Sequence, residues 1–399
     1  MRVLVVHDYG IRLGGAEHLS FAIRDQLRAR GHEARLFTST AQPLALAIES
    51  DAHCHGSAGA SRRFLQAWNP MARLGLAREL ADYPPDIVHV RMFASQLSPA
   101  ILPLLRKWRA LLHVVNYDLV CPLNTRVLPD GSACPYTPGR VCLREGCLSL
   151  AGQARAIVQR VQWQRFGDVF DRIICNSHRT RALLERHGVA CDGVIWNGVP
   201  VHDPRPPLSP AAEPIVACAA RLVEKKGVDW LLRSFVRVLR EIPTARLWVL
   251  GDGPERGPLE KLSRTLGMAE RVDWFGHLDR LELERVLASA WVQVVPSRWE
   301  EPFGLVAAEA MIRGTAVIAS DGGGLAEQVV DGVTGHVVAV DDEQALARRL
   351  VDLLGLPERA ERMGAAGRER ALAEFTETHV VDRFLDLYAE LLLERPSLA

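Results

Sequence analysis

No run of eighteen or more apolar residues occurs in the 399-residue sequence, so nothing in it has the make-up of a membrane-spanning helix. The opening Met1-Arg-Val-Leu-Val-Val-His-Asp8 turns polar after four apolar residues, short of a secretory signal. These two absences predict a cytoplasmic protein. No G-x-G-x-x-G spacing is present, which excludes the dinucleotide fingerprint. Aromatic residues make up only 6%, and no dense basic run appears, which argues against a nucleic-acid partner. Net formal charge is zero, yet residues 1–199 carry 24 Lys+Arg against 16 Asp+Glu, and residues 200–399 carry 24 against 32. The basic front half can attract a phosphate-rich partner or an anionic surface.

What is present points to two domains. Apolar residues are 48% of the chain, enough for two cores in a length too great for one. Short apolar runs alternate with helical patterns. Strands are predicted at Val3–Val6, Ala34–Phe37, Ile87–Val90, Leu111–Val115, Arg172–Cys175 and Gly193–Trp196. The segment 198–214 holds six prolines and reads as a linker. The alternation then restarts, with strands at Pro214–Ala220, Arg246–Leu250, Val272–Phe275, Val292–Val295, Ala316–Ala319 and His336–Val340. The expected fold is therefore α/β, with two Rossmann-like parallel-sheet domains facing across a cleft. The boundaries fall at 1–199, a linker 200–213, and 214–373. A terminal amphipathic helix within 374–399 should pack back toward the first domain.

In open parallel sheets, ligands bind beyond the carboxyl ends of the strands. The loops there carry the chemistry. After one predicted strand comes Pro296-Ser-Arg-Trp-Glu-Glu-Pro-Phe-Gly-Leu-Val-Ala-Ala-Glu309, where Pro302 is expected to open a helix. The amides of Phe303, Gly304 and Leu305 would then form an anion site at a helix N-terminus. Glu301 and Glu309 offer carboxylates that can accept from sugar or ribose hydroxyls. After another strand, Arg221 and Lys226 can grip a diphosphate, one as a planar fork and one as a mobile point charge. Gly251-Asp-Gly253 forms a tight turn where a base or ribose can lie. Gly14-Gly15-Ala16-Glu17 lets donor phosphates approach the front lobe, and Gly322-Gly323-Gly324 again marks close backbone approach.

Taken in order, these segments resemble the retaining glycosyltransferases of family 4, which have the GT-B fold. The family's E-x7-E motif matches Glu301 and Glu309 within E-P-F-G-L-V-A-A-E-A-M. Its phosphate-binding pair matches Arg221 and Lys226, and its front-lobe G-G-A-E matches Gly14 to Glu17. Val317-Ile-Ala-Ser-Asp-Gly-Gly-Gly-Leu-Ala-Glu327 is similar to its loop near the donor sugar, and Asn197-Gly198-Val199 to its domain boundary. The resemblance implies a nucleoside-diphosphate-sugar donor, UDP- or GDP-linked, held by the back lobe. It implies a glycan or lipid-linked acceptor on the front lobe, with a role in cell-surface polysaccharide or glycolipid synthesis. Glu301 would orient the transferred sugar, Glu309 would hold the ribose, and Arg221 with Lys226 would stabilise the leaving diphosphate, with no metal needed for catalysis.

Relatives carry a front-lobe histidine where this chain has Val115. His113, Asn116 and Asp118 are the candidates for the acceptor or sugar side, although a lone strand histidine such as His113 is more often a satisfied core residue. Cys121, Cys134, Cys142 and Cys147 crowd one segment without a C-x-x-C, which favours structural thiols over a structural zinc. A helix over 154–166 sets Arg155, Arg160 and Arg165 among apolar residues. Its expected arrangement is core-facing with arginines outside, the alternative being peripheral contact at the inner membrane face. The competing readings of function are a non-catalytic nucleotide-sugar-binding partner and a GT-B sugar-nucleotide epimerase.

Overall fold

Short runs of β-branched and aliphatic residues become strands buried on both faces, as parallel sheets require. The computed structural model describes residues 1–12, 14–42, 47–57, 59 and 62–394. Two units result, residues 1–198 with 377–399, and residues 199–376.

The first unit is built on a seven-stranded sheet of β1 (Arg2–Tyr9), β2 (Glu33–Ser39), β3 (Ala52–Cys54), β4 (Ile87–Val90), β5 (Arg109–Val114), β6 (Arg172–Cys175) and β7 (Gly193–Val194). The order is β3-β2-β1-β4-β5-β6-β7 and every pairing is parallel. The sequence pattern misses β3, whose three residues are too short a run to show a period. It also overextends β7 to Trp196.

The helix Glu377–Leu393 belongs to this first unit. Its Val380, Val381, Phe384, Tyr388 and Leu391 are buried in one cluster with Val3, Val5 and Leu111 of the sheet. Tyr388 Oη lies 2.6 Å from His89 Nδ1, satisfying two polar groups that would be costly to bury alone.

The second unit holds six parallel strands in the order β10-β9-β8-β11-β12-β13. They are β8 (Ile215–Ala219), β9 (Arg246–Leu250), β10 (Val272–Gly276), β11 (Val292–Val295), β12 (Ala316–Ser320) and β13 (Gly335–Val338). The helices Val228–Glu241 and Glu343–Gly355 bury Trp230, Phe235, Leu346 and Leu350 on its core. The proline-rich segment expected as a linker is laid along this unit. Arg205 is buried, its Nε donates to the Gly314 carbonyl at 3.1 Å, and its Nη1 pairs with Glu361 at 3.2 Å.

Candidate active site

In the second unit the loops leaving β8, β9, β11 and β12 interlock through backbone contacts that need glycine. The loop after β8 turns at Gly227 with φ of 68°, and a Cβ there would stand 1.9 Å from the Pro296 carbonyl oxygen. Trp230 Nε1 donates to that same oxygen at 2.7 Å, tying this loop to the one after β11. Leu222 N donates to the Asp252 carbonyl at 2.9 Å, and a Cβ on Gly253 would meet the Leu222 carbonyl oxygen at 2.3 Å. The three glycines after β12 admit the Glu300–Phe303 backbone. A Cβ on Gly323 would lie 2.3 Å from the Glu301 carbonyl oxygen, and Gly324 N donates to that oxygen at 2.7 Å.

This interlocking sets Lys226 beside Glu301, with Nζ 2.5 Å from Oε1. Glu301 is buried and also accepts from Ser297 Oγ at 3.0 Å. Lys225 Nζ lies 3.8 Å from the centre of the Trp299 ring, a cation–π contact that holds the two loops together. Arg298 reinforces the same junction through Asp229 at 2.5 Å and Asp341 at 2.7 Å. Arg221 is exposed, and its guanidinium has no partner among the described residues. A paired lysine and a free arginine leave cationic capacity at the sheet's carboxyl edge.

The helix Leu305–Arg313 begins at Gly304 with no side-chain cap, so its first-turn amides offer donors to an anion. Pro302 lies outside this helix rather than opening it, because Phe303 first turns inward. That ring is buried and meets Phe375 edge-on with centroids 5.7 Å apart. Glu309 lies one turn and more into the helix, half-buried. Burial, aided by Glu284, pushes its carboxyl up to about 7.

In the first unit, Gly14 caps the helix Gly15–Ala29 with no side-chain cap of its own. Glu17 follows in the first turn, and burial raises its carboxyl above the usual range. Asn116 and Asp118 meet each other, Nδ2 to Oδ2 at 2.8 Å. Burial and the neighbouring Asp8 push the Asp118 carboxyl to about 7. His113 does not join them. It is fully buried, its Nε2 lies 3.2 Å from the Ile195 carbonyl oxygen, and its ring meets Phe384 of the last helix. Burial, then Arg91, holds its imidazole well below its ordinary value, so it sits neutral in the core.

Asp118 lines a cavity of about 370 Å³ together with Phe93, Trp163, Arg140, Arg160 and His187. Sequence reasoning missed Phe93, Trp163 and His187, which carry no motif and come together only through the fold. Cys121, Cys134, Cys142 and Cys147 are free thiols lining one smaller neighbouring cavity.

The helix within 154–166 is observed as Leu150–Phe166; Arg160 and Arg165 are exposed as expected, but its apolar residues do not turn to the core. Its buried residues are Gln153 and Gln162, while Leu150, Ile157, Val158 and Val161 are exposed. The glutamines are drawn inward because Gln159 and Gln162 donate to the carbonyls of Gln66 and Ala67 at 2.8 and 2.9 Å.

Comparison with known proteins agrees with this architecture. Residues 13–203 match the model of Glycosyltransferase Family 4, and residues 202–370 match that of Glycosyl transferases group 1. A curated relative is the GDP-mannose-dependent alpha-(1-6)-phosphatidylinositol monomannoside mannosyltransferase of Mycolicibacterium smegmatis. It is 38% identical over 165 residues, covering 40% of this chain and 43% of that protein. Another is the D-inositol 3-phosphate glycosyltransferase of Nocardia farcinica, 35% identical over 243 residues, or 56% of this chain and 53% of that one. The chain spans about half the length of the curated relatives it matches. Among solved structures, sucrose-phosphate synthase from Thermosynechococcus elongatus superposes with a TM-score of 0.73 at 24% identity, over 99% of this chain and 100% of that one. Anabaena HepE in complex with UDP-glucose gives 0.69 at 18%, over 98% and 100%. These two likenesses establish the fold. With both halves matched in sequence and the two parallel-sheet units in place, the chain belongs to the family 4 glycosyltransferases of GT-B fold.

Proposed function

We propose that this chain moves a sugar from a nucleoside-diphosphate donor, UDP- or GDP-linked, to a glycan or lipid-linked acceptor with retention at the anomeric carbon. The observation that carries this reading is the Lys226–Glu301 pair beside the uncapped N-terminus at Gly304 and the unpartnered Arg221. A diphosphate placed there would meet two cations and a helix dipole. Lys226 would turn from Glu301 toward phosphate oxygen, freeing that carboxylate to accept from sugar hydroxyls. Glu309 would accept from the ribose. The bond from the anomeric carbon to the diphosphate oxygen breaks, and its electron pair stays on the phosphate. The acceptor oxygen bonds on the same face, and its proton passes to the departing phosphate. Curated relatives named for GDP-mannose, and a GT-B structure holding UDP-glucose, support the donor class.

The acceptor belongs in the cavity lined by Asp118, where Phe93 and Trp163 supply apolar faces and Arg140 and Arg160 supply charge. A lipid-linked acceptor brings the chain to an anionic membrane surface. Phe64 is 80% exposed and Leu150 is 77% exposed, with Trp68, Met71, Ile157 and Val161 also out in solvent. Residues 52–78 and 146–167 contain no Asp or Glu but several arginines, a composition suited to interfacial binding. No helix among the described residues is long and apolar enough to cross a membrane, so contact would be peripheral.

Thermal shift and transfer assays against UDP-, GDP-, ADP- and TDP-sugars test the donor assignment. One donor should raise the melting temperature and be consumed. A donor that binds without hydrolysis or transfer would favour a non-catalytic binder, a reading helped by His113 lying in the core. Failure of every nucleotide sugar to bind would remove the site assignment.

A further inference from the structure

The segment 121–149 is too long and too poorly buried to be ordered by apolar packing. Loops beyond about 12–15 residues without secondary structure of their own are uncommon in compact domains. This one has a single bridge, Val127 to Ala133, and a one-turn helix, Val141–Arg144. Only Arg126 and Leu148 within it are buried. Ordering such a stretch carries a backbone-entropy cost at every residue. Something other than a hydrophobic core has to offset that.

The cysteines of this loop, spread in sequence, converge in space. All four line one cavity, together with Arg126. The backbone is turned toward sulfur. Arg126 N donates to Cys121 Sγ at 3.4 Å, the kind of amide contact that steadies a thiolate. Two non-glycine residues, Asn124 at φ 57° and Arg126 at φ 54°, adopt the left-handed region to make that turn. Left-handed backbone at non-glycine positions costs roughly 1–2 kcal/mol each and persists where surrounding structure holds it. Arg126 is also a buried cation whose Nε has no hydrogen-bond partner, although its Nη1 donates to the Tyr136 carbonyl at 2.7 Å.

We propose that Cys121, Cys134, Cys142 and Cys147 bind one Zn²⁺ as a tetrahedral four-thiolate site that orders the 121–149 loop. Borderline-soft Zn²⁺ suits a pure sulfur donor set, with Zn–S bonds of about 2.3 Å. Binding releases the four thiol protons to solvent and leaves a doubly negative centre, with Arg126 lining the same cavity. The side chains are not pre-set at ligand geometry, since no group of three or more His, Cys, Asp or Glu among the described residues stands ready to hold an ion. The metal closes the cluster, and its binding free energy becomes folding free energy for the loop. The irregular sequence spacing, which argues for plain thiols, is no obstacle once the loop has folded back on itself. Cys121, Pro122 and Pro138 line the larger cavity as well, so the ordered loop also forms part of its wall.

The test is metal content of the full chain purified under reducing conditions, read by plasma mass spectrometry. It is joined by cobalt substitution and by thiol counting in denaturant. One equivalent of zinc is expected, along with intense thiolate-to-cobalt charge transfer when Co²⁺ replaces it. Cys121→Ser and Cys142→Ser should lose the metal, and Cys54→Ala, outside the cluster, should retain it. If the serine variants fail to fold, the cobalt spectrum of the unaltered chain still decides. A metal-free chain that takes up neither added Zn²⁺ nor Co²⁺ overturns the proposal. So does a count of four reactive thiols before reduction and eight after, which would mean two disulfides.

Discussion

A single methyl group on Gly323 would collide with the Glu301 backbone, because the Cβ position lies 2.3 Å from its carbonyl oxygen. Gly323→Ala should therefore displace Glu301 and lose transfer without touching a charged group. Arg221→Ala is the complementary experiment. The side chain is exposed and unpartnered, so the melting temperature should hold, within about 0.5 kcal/mol of stability. Loss of leaving-group stabilisation should still lower kcat by roughly 10²-fold. Steady-state kinetics beside thermal denaturation separate the two. Glu309 makes a pH prediction. Its folded-state carboxyl is raised to about 7, so its own contribution to stability is full below the ordinary glutamate range and is lost as pH rises toward 7. Donor ribose would favour the ionised form, so donor affinity should fall as pH drops below about 7. Glu309→Gln should flatten both slopes, in calorimetric titrations and in melting curves. Lys226 and Glu301, singled out in the sequence in loops after different strands, are brought together by the fold. His113 was not legible, because its role depends on Phe384, which packs on it from the far end of the chain.

At the scale of elements, β4, β6, β9 and β11 are found at the residues read from the sequence, since buried parallel strands are continuous apolar runs. The helix Leu150–Phe166 turns glutamines inward where apolar residues were expected. Its glutamines find carbonyl partners inside, and those partners are invisible to periodicity. The final helix tests how strongly an element can hold its unit. Phe384 is fully buried against His89 and His113, with ring centroids 4.5 and 4.9 Å away. Phe384→Ala should cost about 3–5 kcal/mol. Tyr388→Phe should cost about 1–3 kcal/mol by leaving His89 Nδ1 unpaired. Denaturant titration of the full chain measures both.

For the molecule as a whole, the front half's excess of Lys+Arg and the exposed apolar helices share a unit. Binding to vesicles containing phosphatidylglycerol should exceed binding to phosphatidylcholine alone and weaken with added salt. Phe64→Asp with Leu150→Asp should abolish it while leaving donor hydrolysis intact. Co-sedimentation gives the answer, and equal binding to neutral vesicles would remove the electrostatic part. The composition indicated two lobes, and the sequence pattern pointed to a last helix packing back toward the first. The chain leaves the first unit at residue 198 and returns to it at 377. On a ribosome that route inverts the usual order of birth. The first unit to emerge waits unfinished, its face over His89 and His113 uncovered, while the second is synthesised whole. The lobe begun first is the last one completed, and a nascent chain halted before residue 377 carries an open hydrophobic face for chaperones to guard.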